Sequence, residues 1–362
     1  MAGKIRVHYL YPFDLGMDLD LGLNHNRYNK EVLRKPDAGQ VFFEGESLGP
    51  ATLVADLYPF GIGMIDLSFN FPSDLTEASD LAVSNEKVRV GKYALPVYLL
   101  GQIDETLAKA RPYSRSAGVE RLEPSHEIFN LLILTPWQED LEAESFLKKN
   151  RKTLFGIVTG EPSYARLSDY ALEKEKLKNI GYYDGEIILV NRYGAFLHSR
   201  EEETLKDLLS LALAQHFNAR AANAFLERAL GRAQKILESQ PPYTRFWKIP
   251  AAYERLSRER TEFDKAKVAL VESLHTVHTQ IPHIESDWHL KSVHRELLDA
   301  FELEEQTKTA MVRLETIDSI YAHLAEQIST VFFIFLDFVF LAWLFVDLIS
   351  WSILITIEWK KL

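Results

Sequence analysis

The 362-residue chain contains no cysteine, which excludes disulfide bonds, thiolate catalysis and zinc sites built on cysteine. It also lacks an excess of basic residues. Its 41 Lys and Arg against 52 Asp and Glu give a formal net charge of −11, so we expect no nucleic-acid partner. The opening residues, MAGKIRVHYLYPFDLG, show no long apolar run and no signal-peptide pattern. We therefore expect the body of the chain to fold in the compartment of synthesis, which we interpret as the cytoplasm.

Motifs of common enzymes are missing as well. The glycines at 61–63 and 156–160 match neither a phosphate loop nor a dinucleotide fingerprint. The acids at 14–20 lack the alternating spacing of a calcium loop. Ser125-His126 has no evident partners for a catalytic triad. We therefore predict that the protein is not an enzyme and uses no cofactor.

The most prominent feature that is present is a long apolar run at the end of the chain. Residues 328–359, ISTVFFIFLDFVFLAWLFVDLISWSILITIEW, contain only three acids. As one helix they would be about 48 Å long at ~1.5 Å per residue, against a hydrocarbon core of ~30 Å. We predict one membrane span that uses tilt or a bend, with the bilayer as partner. A shallow hairpin, or a helix buried in a soluble oligomer, are the alternatives.

The acids in this run are the polar candidates for function: Asp337, Asp347 and Glu358. A carboxylate near the bilayer centre costs ~2.5–3.5 kcal/mol on insertion scales, so such residues usually face a bundle interior or water. They indicate ion passage or polar association between helices. The alternative is that they are incidental acids near the membrane interfaces.

The N-terminal part has the pattern of an α+β domain over residues 1–200. We predict strands at 5–12, 41–45, 51–72, 127–134 and 154–159, and a strand meander at 182–199. The alternation of apolar residues with Asp66 and its polar neighbours predicts a half-buried strand. Ser73 is the predicted N-cap of the helix that follows. Pro96 predicts an edge or a bend in strand structure at 87–100, before a helix at 102–110.

From Arg200 the apolar period changes to that of helices. We predict a helical stalk at 201–327 with helices to about 239, from 250 to 280, and from Ser286 without a break into the membrane segment, 328–362. The last of these carries heptad steps of four and three, which predict a coiled-coil seam between copies of the chain. The seam residues are Ala310, Leu314, Ile317, Tyr321, Leu324 and Ile328. Alternatively, this stripe packs against the helix at 250–280 as an antiparallel pair, and both arrangements are compatible.

Five histidines lie between residues 275 and 294. His275 and His278 share a helix face at i, i+3, which makes them candidate metal ligands. Pro282 interrupts the run and no HExxH pattern is present, so surface histidines around a turn between helices are favoured.

Three stretches of the C-terminal half carry a resemblance to a known family: LLSLALAQHF at 208–217, the stretch from Trp288 onward, and WSILITIE at 351–358. In these stretches the chain resembles the required-for-meiotic-nuclear-division family of membrane proteins. Ser350 departs from the glutamate that the family has before its terminal tryptophan. The resemblance implies an N-terminal α/β domain, a helical region and a C-terminal membrane segment. It also implies a membrane-anchored oligomer that acts as scaffold or tether.

The order of parts is also similar to that of CorA-type magnesium channels, although their Gly-Met-Asn signature is absent. The sequence therefore predicts an α+β domain, a long-helix stalk and a C-terminal transmembrane helix in a homo-oligomeric scaffold. The soluble domain would sense or bind a protein or small ligand. An ion channel or pore-forming effector gated by that domain is the alternative.

Overall fold

A computed structural model describes residues 4–21, 30–72, 74–117, 127–139, 141–174, 177–239, 249–278 and 282–359. The described part of the chain forms two compact units. The first comprises residues 1–222 and 269–308, and the second comprises 223–268 and 309–362. The boundaries fall inside long helices.

The first unit is built on a mixed nine-stranded sheet in the order β10-β11-β9-β1-β5-β4-β3-β6-β7. All pairs are antiparallel except β9 with β11, which are parallel. A separate pair joins β2 to β8. The strands are β1 (Lys4–Asp14), β2 (Met17–Leu19), β3 (Glu31–Phe43), β4 (Glu46–Leu57), β5 (Ile62–Phe71), β6 (Val88–Val90), β7 (Tyr93–Ala94), β8 (Ser114–Ala117), β9 (Phe129–Thr135), β10 (Ile187–Asn191) and β11 (Gly194–His198).

Ten α-helices occur in the described residues. They are α1 (Leu75–Val83), α2 (Leu95–Ala110), α3 (Ala143–Lys149), α4 (Arg151–Thr159), α5 (Asp169–Lys174), α6 (Glu202–Glu238), α7 (Ile249–His278), α8 (Pro282–Ser286), α9 (Trp288–Ala300) and α10 (Leu303–Trp359). The α+β domain, the long helices and the apolar C-terminal helix that the sequence predicts are all present.

Both faces of the sheet are covered, which gives the first unit three layers. Alternate residues of β1 point to opposite faces, as a strand requires. Val7 and Tyr9 belong to one buried cluster, which includes residues of α1, α2 and α4. Leu10 belongs to a second cluster, formed with the first half of α6 and with α9. The sheet is therefore a central layer between two layers of helices.

Four local predictions are wrong. Residues 154–159 form a helix rather than a strand, because a short apolar run that is buried on all sides has the same composition in either state. Pro96 lies in the first turn of α2, where a missing N–H costs nothing, so it begins a helix instead of bending a strand. Asp66 is buried, because α6 covers the face of the sheet on which solvent was expected. The fourth error concerns the last helix, which is interrupted: α9 ends at Ala300 and α10 begins at Leu303.

The break between α9 and α10 occurs at Phe301 and Glu302. Glu302 has φ of 52°, a left-handed conformation that ends a helix. Buried Phe301 packs at this break with the second cluster. At the other predicted terminus, Ser73 lies outside the described residues. Asp74 caps α1 there, accepting from the N–H groups of Thr76 and Glu77.

The second unit consists of helical segments from α6, α7 and α10. The side chain of Arg313 on α10 donates to the Asn223 side chain on α6, over 3.1 Å. Lys267 on α7 pairs with Asp318 on α10. Four buried residues of α6 in this unit follow heptad steps, with buried Phe225 beside them: Leu226, Ala229, Ala233 and Ile236. Each helix therefore presents an apolar stripe to the others.

Candidate functional site

The C-terminal part of α10 is the first candidate. Among the described residues, α10 is the one helix long and apolar enough to cross a membrane. No residue of its most apolar window is buried by the rest of the chain. Leu341 is 63% exposed and Trp351 is 63% exposed. A long run of exposed large apolar side chains is unfavourable in water and suits a hydrocarbon environment.

The structure places Asp337 and Asp347 on this exposed part of α10. Neither carboxylate forms a hydrogen bond or ion pair with another described residue. By contrast, Thr330 and Ser350 donate their hydroxyl protons to the carbonyls of Glu326 and Val346, one turn earlier on the same helix. The two aspartates are thus charged groups on this part of the helix without a partner among the described residues. The Glu358 side chain lies outside the described residues.

The predicted seam, Leu314, Ile317, Tyr321, Leu324 and Ile328, is buried inside the single chain, with exposures of 0–6%. Tyr321 packs against Phe263 of α7, with ring centroids 5.5 Å apart. Lys267 lies after Phe263 on α7, whereas its partner Asp318 lies before Tyr321 on α10. The two helices are therefore antiparallel. The antiparallel alternative for this stripe is therefore confirmed. A seam between copies through the same residues stays a prediction.

The candidate metal ligands His275 and His278 end helix α7, and their side chains lie outside the described ones. In the part of the chain that the structure describes, no group of three or more His, Asp or Glu is placed to hold a metal ion. The prediction that these histidines lie at the surface is wrong for His289, whose exposed fraction is 3%. Its Nε2 lies 3.4 Å from a Glu186 carboxylate oxygen.

Glu186 is itself buried and accepts several hydrogen bonds. Its oxygens receive the Ser199 hydroxyl over 2.6 Å and the Tyr182 N–H over 2.9 Å. The ring centroids of Tyr183 and His289 lie 4.6 Å apart. The carboxylate lies at the centre, between the serine and the histidine. A catalytic triad needs the histidine at the centre, so this cluster does not activate a serine nucleophile. Its contacts join α9 to the start of β10.

A larger charged cluster lies between the sheet and α6. His8 on β1 and Asp66 on β5 are joined by Nδ1 and Oδ1, 2.8 Å apart. Lys30 donates to Asp56 on β4 over 2.5 Å and to Asp207 on α6 over 3.1 Å. His8, Lys30, Asp56 and Asp66 are each no more than 7% exposed. Charges buried to this extent persist only when paired.

Salt bridges extend this cluster to the surface. Lys206 on α6 lies 3.8 Å from Asp66 and 3.0 Å from Glu203. Arg6 on β1 donates to Glu203 over 2.5 Å. The first two turns of α6 are therefore attached to three adjacent strands by charge as well as by apolar contact.

The pKa values of the cluster follow from burial and from the neighbouring charges. Burial raises the pKa of Asp66, but His8, Lys206 and Lys30 outweigh it, and the pKa lies below its ordinary value. Burial raises the pKa of Asp56, and Lys30 only partly offsets this. Adjacent carboxyls with pKa values shifted in opposite directions are common where a protein binds or moves protons.

Two atoms of the cluster have no hydrogen-bond partner among the described residues: His8 Nε2 and Asp56 Oδ1. Sequence reasoning missed this cluster, because its members lie far apart along the chain and each taken alone suits a solvent-facing position. The signal that could have found it is that Asp56 and Asp66 each lie within a short apolar run, LVADL at 53–57 and IGMIDL at 62–67.

An acidic surface pocket of about 490 Å³ lies between the β3–β4 hairpin and α1. Carboxylates of Glu44, Glu46, Glu77 and Asp80 surround it, over Phe43. Glu44 also accepts a hydrogen bond from Lys87 over 2.6 Å. This surface attracts cationic groups, and it lies in the first unit.

In a comparison with protein families, residues 4–204 match the family described as "Uncharacterized protein MJ0711, N-terminal domain". No curated protein and no solved structure matches the chain. The matched region contains the whole nine-stranded sheet and the beginning of α6, and thus every strand residue of the charged cluster. Because the match covers more than half of the sequence, the chain belongs to the family of the MJ0711 N-terminal domain.

Proposed function

We propose that the protein is a C-terminally membrane-anchored homo-oligomer that acts as a scaffold or tether. Its α+β domain would be held on the cytoplasmic side and would bind or sense a protein or small ligand. The observation that carries this proposal is the exposed apolar end of α10. It continues the part of the same helix that packs against other helices of the chain. The resemblance of the C-terminal half to the required-for-meiotic-nuclear-division family supports the same role.

The charged cluster supports a binding or sensing role for the first unit. It joins the strands to α6 through groups whose pKa values are shifted in opposite directions. A change of charge there would alter the attachment of α6, which is part of both units. Helix α6 is thus the element through which a ligand of the α+β domain would act.

A flotation experiment tests the anchor. Phe340→Lys together with Leu344→Lys introduces two charges into the apolar end of α10, each costing ~2.5–3.5 kcal/mol at the centre of a span. We expect the unaltered chain to float with liposomes and this variant to stay at the bottom of the gradient. The matched control, Val268→Lys with Val271→Lys, alters exposed positions on α7 and should float normally. Flotation of the α10 variant would refute the anchor.

Asp337 and Asp347 favour a second candidate, an ion channel or pore-forming effector. Acids that face a shared axis would attract cations, as acidic rings do in cation-selective pores. Cation flux into liposomes, abolished by Asp337→Asn with Asp347→Asn, would support the pore. Absence of flux, with the protein inserted, would remove it and leave the scaffold.

A further inference from the structure

The apolar end of α10 has an acidic face. Asp337 and Asp347 are ten residues apart, which places them about 80° apart around a helix that turns ~100° per residue. Between and beyond them, steps of three and four residues select Phe340, Leu344 and Trp351. We refer to these five residues as the acidic stripe. The stripe lies on the opposite side of the helix from the continuation of the heptad seam, which passes through 342 and 345.

Both aspartates of the acidic stripe are exposed in the single chain, without a partner among the described residues. In a bilayer each would cost ~2.5–3.5 kcal/mol near the centre, unless a polar group met it. The two carboxyls are separated by about 15 Å along the helix at ~1.5 Å per residue. A partner must therefore offer polar groups at two depths, which excludes a small ligand or a single lipid headgroup.

A parallel second copy of the chain meets this requirement without any further component. It shares the same topology, so its two aspartates lie at the same two depths. In each pair, one carboxyl that holds a proton donates and the other accepts. The apolar seam of α10 in the helical bundle cannot bind a second copy in this way, because Leu314, Ile317 and Leu324 are already buried inside their own chain.

We propose that a second copy of this chain packs against the acidic stripe within the bilayer, with each aspartate facing its equivalent. This inference rests on the proposed membrane anchor and names the surface through which the anchored chains assemble. The stripe positions Phe340 and Leu344 would then lie at the contact, and Ala342 and Phe345 would face lipid.

Because the chain has no cysteine, single substitutions report on contacts between copies without background. The full chain carrying Phe340→Cys or Leu344→Cys, oxidised in membranes, should give disulfide-linked dimers. Ala342→Cys and Phe345→Cys are the matched controls and should give monomers. In the Phe340→Cys background, adding Asp337→Leu with Asp347→Leu should abolish the dimer, while Asn at both positions should keep it, since an amide still pairs.

The outcomes separate the stripe from the anchor. Equal cross-linking at the stripe and control positions, or cross-linking that survives the leucine substitutions, overturns the stripe. Flotation with liposomes but no dimer from either stripe position also overturns it and leaves the anchor intact. If the unsubstituted chain does not float, the anchor fails first and the stripe fails with it.

Discussion

Phe263 of α7 and Tyr321 of α10 pack with their ring centroids 5.5 Å apart, inside the helical bundle of the second unit. Both side chains are buried, at 4% and 3% exposure. Helix α10 is therefore held by its own chain along 309–328, before its exposed apolar part begins. This packing makes the bundle the base from which the exposed apolar segment extends.

Phe263→Ala should loosen this base. Truncating a buried phenylalanine costs about 3–5 kcal/mol, through lost burial and the cavity that remains. We expect the backbone amides of α10 between 309 and 328 to exchange hydrogen faster, because local opening of this helix then costs less free energy. Val268→Ala, on the same helix at a position that is 67% exposed, is the control and should leave exchange unchanged. Equal protection in both variants would show that α7 does not hold α10.

The Lys30–Asp56 pair should behave as a buried ion pair. Lys30→Met leaves the Asp56 carboxylate buried without its cation, and breaking such a pair costs about 3–5 kcal/mol. Lys30→Met combined with Asp56→Leu removes both charges and should recover most of the loss. Chemical denaturation in detergent measures the two free energies of unfolding. A double variant no more stable than the single one would show that the pair is not the source of the effect.

The stability of the first unit should fall below pH 6.5. Burial lowers the pKa of His216 to about 4, from an ordinary value of 6.5. Above pH 6.5 the imidazole is neutral in both states. Between 6.5 and 4 the unfolded chain binds a proton that the folded chain does not, so stability falls as the pH falls. The loss is on the order of 3 kcal/mol when complete.

His216→Gln should remove this histidine's share of the pH dependence, because an amide can still donate to the Phe301 carbonyl, which now accepts from His216 Nδ1 over 3.0 Å. His294 has its pKa lowered by burial to about 4 as well, so part of the slope should remain. His323→Gln, at an exposed position of α10, is the control. An unchanged slope in His216→Gln would contradict the assignment.

Two helical glycines should respond in opposite ways to alanine. A Cβ on Gly156 would lie 2.6 Å from the Tyr164 ring, so Gly156→Ala should destabilise the packing of α4 by about 1–3 kcal/mol. A Cβ on Gly231 meets nothing within 4 Å, so Gly231→Ala should stabilise α6 by about 0.5–1 kcal/mol. Denaturation midpoints of the two variants test both signs. Stabilisation by Gly156→Ala would mean that α4 packs differently.

Periodicity in the sequence was sufficient for the long helices and for most strands. The change of period at Arg200 marks the start of α6, because a helix with one buried face repeats its apolar residues over many turns. Residues 154–159 misled the prediction, since a run of six residues is too short to show a period. The break at Glu302 also escaped, because a left-handed residue is set by packing around Phe301 and not by composition.

The charged cluster could not be predicted from the sequence, for a physical reason. Alternation along β5 shows that Asp66 and Ile65 face opposite sides, but does not show that α6 covers the side of Asp66. Only the tertiary fold brings His8, Lys30 and Lys206 to that carboxylate. Asp337 and Asp347 were the reverse case, because their position within an apolar run is visible without any fold.

The most direct measurement places spin labels on α10 of the full chain in liposomes. Leu341→Cys labels the exposed apolar part and Val312→Cys labels an exposed position of the bundle, at 63% and 55% exposure. With no other cysteine present, each label reports one depth. Oxygen should reach the label at 341 more readily than a water-soluble nickel complex does, with the opposite order at 312. Equal nickel access at both positions would contradict a membrane-inserted α10.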